Sequence, residues 1–210
     1  MPKTNVLVNS SKRTDSNQKN HSIESCPIEL ESGVLQGVTF LASPNFDHRE
    51  AGVLPDLIVV HGISLPPNQF GGEAISQLFT NQLDPKEDPY FEKIKHLRVS
   101  AHALIRRDGE IIQYVPFHHK AWHAGLSEFE GRSACNEFSI GIEMEGTDET
   151  CYTARQYTAL AQLIKSLWAT YPSLQAHHVV GHNEIAPGRK TDPGPYFQWD
   201  SLSRLLEKSV

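Results

Sequence analysis

A chain of 210 residues, 39% hydrophobic and 21% charged, is long enough to enclose a core as one soluble domain. A formal net charge of -6 offers no basic face for nucleic-acid phosphates, and no run approaches the roughly 20 apolar residues of a membrane-spanning helix. Three cysteines, Cys26, Cys135 and Cys151, fit neither a zinc ribbon nor a disulfide framework, so reduced thiols in a reducing compartment are expected.

Residues 1–25 are rich in Ser, Asn, Thr and Lys and poor in large apolar groups. Such a segment buries too little surface to offset its ordering entropy. Residues 1–27 therefore read as a disordered extension, with Val6-Leu7-Val8 as a candidate edge strand, and residues 28–210 as a single domain. The N-terminus lacks the apolar run of a signal peptide, which makes the cytoplasm the expected location.

Leu57-Ile58-Val59-Val60-His61, stopped by Gly62, reads as a buried strand. Gly71–Phe79 reads as a short helix. Ala101–Arg106 and Ile111–Val115 flank Asp108-Gly109, a hairpin signal. Along Phe138–Glu145, alternation puts Phe138, Ile140, Ile142 and Met144 on one face, and Ser139, Gly141, Glu143 and Glu145 on the other. Thr153-Ala154-Arg155-Gln156 fits a capping box. Behind it Tyr157, Leu160, Ala161, Ile164, Leu167, Trp168 and Tyr171 share a helical face, up to the stop at Pro172. Val179–His182 reads as a strand, and Asp200 as the cap of a last helix bearing Leu202, Leu205 and Leu206. Strands mixed with helices predict an α/β fold with a mixed central β-sheet flanked by helices.

Eleven histidines prompt a search for metal and acid–base sites. His61 ends a buried strand where a loop rich in Pro and Gly begins. Taken alone, it fits a core histidine bonded to a carbonyl better than a ligand. The segment GHNEIAPGRKTDPGPYF places His182, Lys190 and Asp192 on a stretch stiffened by Pro187, Pro193 and Pro195. Two imidazoles and a carboxylate suit a catalytic zinc that keeps a fourth position for water. Glu143 lies on the polar face of its strand, where Gly141 leaves room beside the carboxylate. A solvated face and a catalytic base fit that alternation equally well.

The stretches IVVHGISLPPNQFGG, HLRVSAHALIRRDGEIIQYVPF, AWHAG, CNEFSIGIEMEGTD and GHNEIAPGRKTDPGP together resemble the type 2 N-acetylmuramoyl-L-alanine amidases, most closely their cytoplasmic anhydromuramyl branch. The resemblance spans about residues 30–205. It implies a type 2 amidase (peptidoglycan-recognition-like) fold. It also implies zinc (Zn2+) on the residues matching His61, His182 and Asp192, with Glu143 and Lys190 as catalytic partners. The implied reaction is hydrolysis of the lactyl-L-alanine amide bond in 1,6-anhydro-N-acetylmuramyl peptides during cell-wall recycling. The expected partner is a soluble muropeptide bound by a monomer, with no nucleic acid and no membrane. Arg98, Trp122 and His123 are candidate substrate contacts.

Two positions depart from the family pattern. This chain reads His61-Gly62 where related enzymes commonly read His-Asn, and Ala134 stands where a second arginine is common. Three rival readings stand beside this one: a non-catalytic muropeptide-binding protein, a lytic amidase on intact wall, and an unrelated metallohydrolase. The full set of metal-ligand residues argues against the first, the missing signal-peptide run against the second, and the family resemblance alone against the third.

Overall fold

The structure, a computed structural model, describes residues 27–207. The candidate strand Val6-Leu7-Val8, Cys26 and all of the expected extension except Pro27 lie outside the described residues. The chain opens with two short strands, β1 (Ile28–Glu29) and β2 (Val34–Leu35), then β3 (Thr39–Phe40), β4 (Phe46–His48) and β5 (Leu57–Ile63). Helices α1 (Ala74–Phe79) and α2 (Pro89–Ile94) follow, then β6 (Ala103–Ile105), β7 (Ile111–Gln113) and β8 (His119–Ala121). After β9 (Glu128–Phe129), β10 (Arg132–Ser133) and a 3-10 turn at Cys135–Glu137 come β11 (Ser139–Glu145) and α3 (Ala154–Thr170). The chain ends with β12 (Val179–Gly181), α4 (His182–Ile185) and α5 (Trp199–Glu207).

Six strands form the central sheet in the order β12-β5-β11-β6-β7-β3. β12, β5, β11 and β6 are mutually parallel, β6 and β7 form the expected antiparallel hairpin, and β3 runs parallel to β7. The fold is thus mixed α/β with flanking helices. Near-continuous apolar runs mark strands covered on both faces, and β5 is such a strand. Its Ile58 and Val60, with Ile140, Ile142 and Met144 of β11, pack with the buried side of α3 and with Leu202 of α5. Leu57 and Val59 face the other way, with Ala124, Cys135 and Ile185. A further cluster joins α1 and α2 to Leu104, Ile112 and Tyr114. Among the described residues no helix is long and apolar enough to cross a membrane.

The Thr153 cap behaves as its sequence predicts. Its hydroxyl accepts the Gln156 N–H at 3.1 Å, and the Gln156 side chain accepts the Thr153 N–H at 3.0 Å. Several boundaries differ from the sequence expectations. Gly62 does not stop β5, because parallel pairing carries on through Gly62 with Met144 and Ile63 with Glu145. Helix α1 starts at Ala74, since Gly71 and Gly72 adopt φ of 80° and 71°, outside helical geometry. Phe138 ends the 3-10 turn and so falls out of the alternation of β11, packing with Leu57 and Val59 instead. His182 begins a helix instead of ending a strand, and Asp200 lies inside the first turn of α5 instead of capping it.

Candidate active site

Strand register brings the candidate residues together. In the β5–β11 pairing His61 lies beside Glu143, and in the β12–β5 pairing Gly181 lies beside Val60. The residue after Gly181, His182, therefore emerges next to His61. The start of α4 is fixed by Glu184, whose Oε1 accepts the Gly181 N–H at 2.8 Å. The chain returns at Asp192, whose carbonyl accepts the Asn183 N–H at 2.9 Å.

The Nδ1 atoms of His61 and His182 are 2.9 Å apart, and Asp192 Oδ2 lies 3.3 Å from the first and 3.0 Å from the second. Hydrogen bonds alone do not satisfy this triangle. Two protonated nitrogens would face their protons at each other, and a bare nitrogen would face the carboxylate lone pair to lone pair. A cation among the three atoms meets all of them. Two imidazoles and one carboxylate are the donor set of a catalytic zinc, whose ligands in a tetrahedron stand about 3.3 Å apart. Among the described residues, this is the group of His, Cys, Asp and Glu side chains whose ligand atoms converge in this way. Burial pushes the His61 imidazole down to about 4, so it is neutral as a ligand must be. Burial alone would raise the Asp192 carboxyl, but the two imidazoles facing it outweigh that and hold it well below the usual carboxylate range.

Glu143 sits beside this triangle in a cleft of about 420 Å³ that also holds His61, His182, Lys190 and Asp192. Its Oε2 is sealed from solvent and has no hydrogen-bond partner. Burial drives its carboxyl well above the usual range, Asp192 adds to the rise, and Lys190 works against it. Positive charge brought to the triangle acts in the same direction as Lys190. One wall of the cleft is apolar, with Leu65, Leu78, Phe79 and Ile94.

The remaining candidates divide. Trp122 lines the cleft and donates from Nε1 to Asp47 Oδ2 at 2.8 Å. His123 also reaches the cleft, but its ring is tied between His61 Nε2 at 2.9 Å and Ser139 Oγ at 3.1 Å. Arg98 is exposed and donates to the carbonyls of Lys95 and Leu97; it is not among the side chains lining the cleft. The space read beside Gly141 is filled, because a Cβ there would overlap the His123 ring. At Gly62 a Cβ would overlap the Tyr152 hydroxyl, which donates to the Pro193 carbonyl at 2.9 Å. The glycine thus makes room for a tyrosine that holds the chain just after Asp192. Tyr152, Asn136 and Arg189 carried no signal in the sequence, since their partners lie far away along the chain.

The chain belongs to the N-acetylmuramoyl-L-alanine amidase family, whose model matches residues 51–195. It is an enzyme of that class, and within it an AmpD-type amidase. It is 54% identical to the 1,6-anhydro-N-acetylmuramyl-L-alanine amidase AmpD of Escherichia coli (strain K12), over 181 residues covering 86% of this chain and 98% of that protein. The crystal structure of a selenomethionine derivative of AmpD matches with a TM-score of 0.82 at 53% identity, covering 85% of this chain and 99% of that one. AmpDh3 from Pseudomonas aeruginosa, solved in complex with anhydromuramic pentapeptide, matches with a TM-score of 0.54 at 28% identity, covering 72% of this chain and 59% of that one.

Proposed function

We propose that this enzyme uses zinc to hydrolyse the amide bond between the lactyl group and L-alanine in 1,6-anhydro-N-acetylmuramyl peptides. The observation that carries the reading is the triangle of His61, His182 and Asp192 beside the unpartnered Glu143 Oε2. The substrate class rests on the similarity to AmpD and to a relative solved with an anhydromuramic pentapeptide. With it go a role in cell-wall recycling and the cytoplasmic, monomeric state expected from the sequence.

His61, His182 and Asp192 would hold the metal. Zinc there would supply polarisation of the scissile carbonyl and a water whose pKa falls from about 15.7 towards about 7. Glu143 takes the proton of the attacking water on its free oxygen and hands it to the departing alanine amine. The Lys190 ammonium stabilises the oxyanion that develops on the lactyl carbonyl. The apolar wall restricts water around the reacting bond, which strengthens both effects.

The test is mass spectrometry of the products from an anhydromuramyl-tripeptide, with and without a chelator. Free tripeptide and free sugar, lost on chelation and restored by zinc, are expected. Zinc-loaded, folded protein that leaves this substrate intact while cutting sacculi would overturn the assigned substrate.

A further inference from the structure

We infer that residues His123 and Ala124, pinned by Asn136, form a bracket that holds both histidine ligands by Nε2 and so leaves both Nδ1 atoms for metal. The inference rests on the metal reading above, and it follows from tracing protons outward from two fixed carbonyls. Ser139 Oγ lies 2.6 Å from the Cys135 carbonyl, which can only accept, so the hydroxyl proton goes there. Ser139 Oγ is then the acceptor for His123, whose Nε2 lies 3.1 Å away and carries the ring proton. A neutral imidazole that gives Nδ1 to a metal keeps its proton on Nε2. His61 Nε2 then donates to His123 Nδ1, 2.9 Å away, whose own proton is on Nε2 towards Ser139.

The second arm is the next residue. His182 Nε2 lies 3.2 Å from the Ala124 carbonyl, so it carries the proton and leaves Nδ1 bare. The same carbonyl accepts from Arg189 Nη2 at 2.6 Å, a second contact that fixes its position. Both arms share one anchor. Asn136 Oδ1 accepts the backbone N–H of His123 at 3.1 Å and of Ala124 at 2.8 Å. One dipeptide thus orients both imidazoles, and His123 is a positioning residue that acts through His61. The glycine at 141 belongs to the same device, since any side chain there would displace the His123 ring.

The experiment uses the full chain with zinc ion as the probe, in two measurements. Zinc affinity is read by chelator competition for Ser139→Ala and Asn136→Ala. The tautomer of His123 is read in zinc-loaded protein from long-range nitrogen–proton couplings. Removing these anchors is expected to weaken zinc binding about 10- to 100-fold. In the unaltered protein His123 is expected as the Nε2–H tautomer, and in Ser139→Ala it is expected to populate the Nδ1–H form. Zinc affinity unchanged in both variants, or an Nδ1–H tautomer of His123 in the unaltered protein, would overturn the inference. If Ser139→Ala does not fold, Asn136→Ala, altered at a partly exposed position, carries the affinity test alone. A protein that binds no zinc at all would sink the metal reading, whereas zinc bound with the same affinity by both variants and the unaltered protein would sink the bracket alone.

Discussion

Glu143 keeps one oxygen buried without a partner, yet no atom of it belongs to the triangle that would hold metal. Its loss should therefore separate chemistry from binding. Glu143→Ala is expected to retain zinc by elemental analysis and to lose about 10²- to 10⁴-fold in kcat, the scale of a lost proton-transfer group; near-normal turnover would remove it from the mechanism. His182→Ala, by contrast, should lose zinc and activity together, and full zinc occupancy in that variant would break the ligand assignment. Lys190→Ala should keep zinc and lose about 10²- to 10³-fold in kcat. A change confined to KM would move Lys190 from oxyanion stabilisation to substrate binding. These residue types were legible in the sequence because neutral imidazoles and a carboxylate near stiff prolines suggest a metal set. What Gly141 faces was not legible, because the ring that fills its space comes from His123, which lies on another strand's loop. Nor could the sequence choose between a solvated and a catalytic Glu143, since alternation gives the face but not what covers it.

At the scale of elements, local signals were read well and termination signals less so. The α3 cap and the β6–β7 hairpin follow from residues within a few positions of each other. The start of α4 at His182 and the run of β5 through Gly62 depend on pairing with distant strands, which outweighs a glycine's tendency to break structure. His102 shows how such pairing creates a pH liability. It directly precedes β6 beside β11, with Nδ1 accepting the Gly141 N–H at 3.0 Å and Nε2 facing the His119 carbonyl at 3.0 Å. Burial, then the nearby Arg49, push its imidazole down from 6.5 to about 3. The unfolded chain takes up this proton near 6.5 and the folded chain only near 3. Stability is therefore unaffected above about pH 6.5 and falls as pH drops from there towards 3, by at most about 1.4 kcal/mol per pH unit for this one group. Melting temperatures of metal-free protein between about pH 7 and about pH 4 should decline less steeply in His102→Asn than in the parent. Parallel slopes would assign the acid limb to other groups.

For the molecule as a whole, the triangle joins parts of the chain that are distant in sequence. His61 lies on β5, His182 opens α4 some 121 residues on, and Asp192 follows in a loop tied back to α4 and to Tyr152 through Pro193. The unfolded chain cannot hold these three atoms at 2.9 to 3.3 Å, so metal binds the folded state almost alone. Mass action then converts affinity into stability: free zinc at about a thousand times its Kd adds about 4 kcal/mol. At about 2–4 °C per kcal/mol for a domain of this size, zinc should raise the melting temperature by roughly 8–16 °C. The rise should vanish in His182→Ala and Asp192→Ala, and survive in Glu143→Ala, whose carboxylate lies outside the triangle. A rise that persisted in the two ligand variants would mean that zinc stabilises the fold from another place. Equal melting with and without zinc in the unaltered chain would mean that the three atoms do not act as a metal site at all.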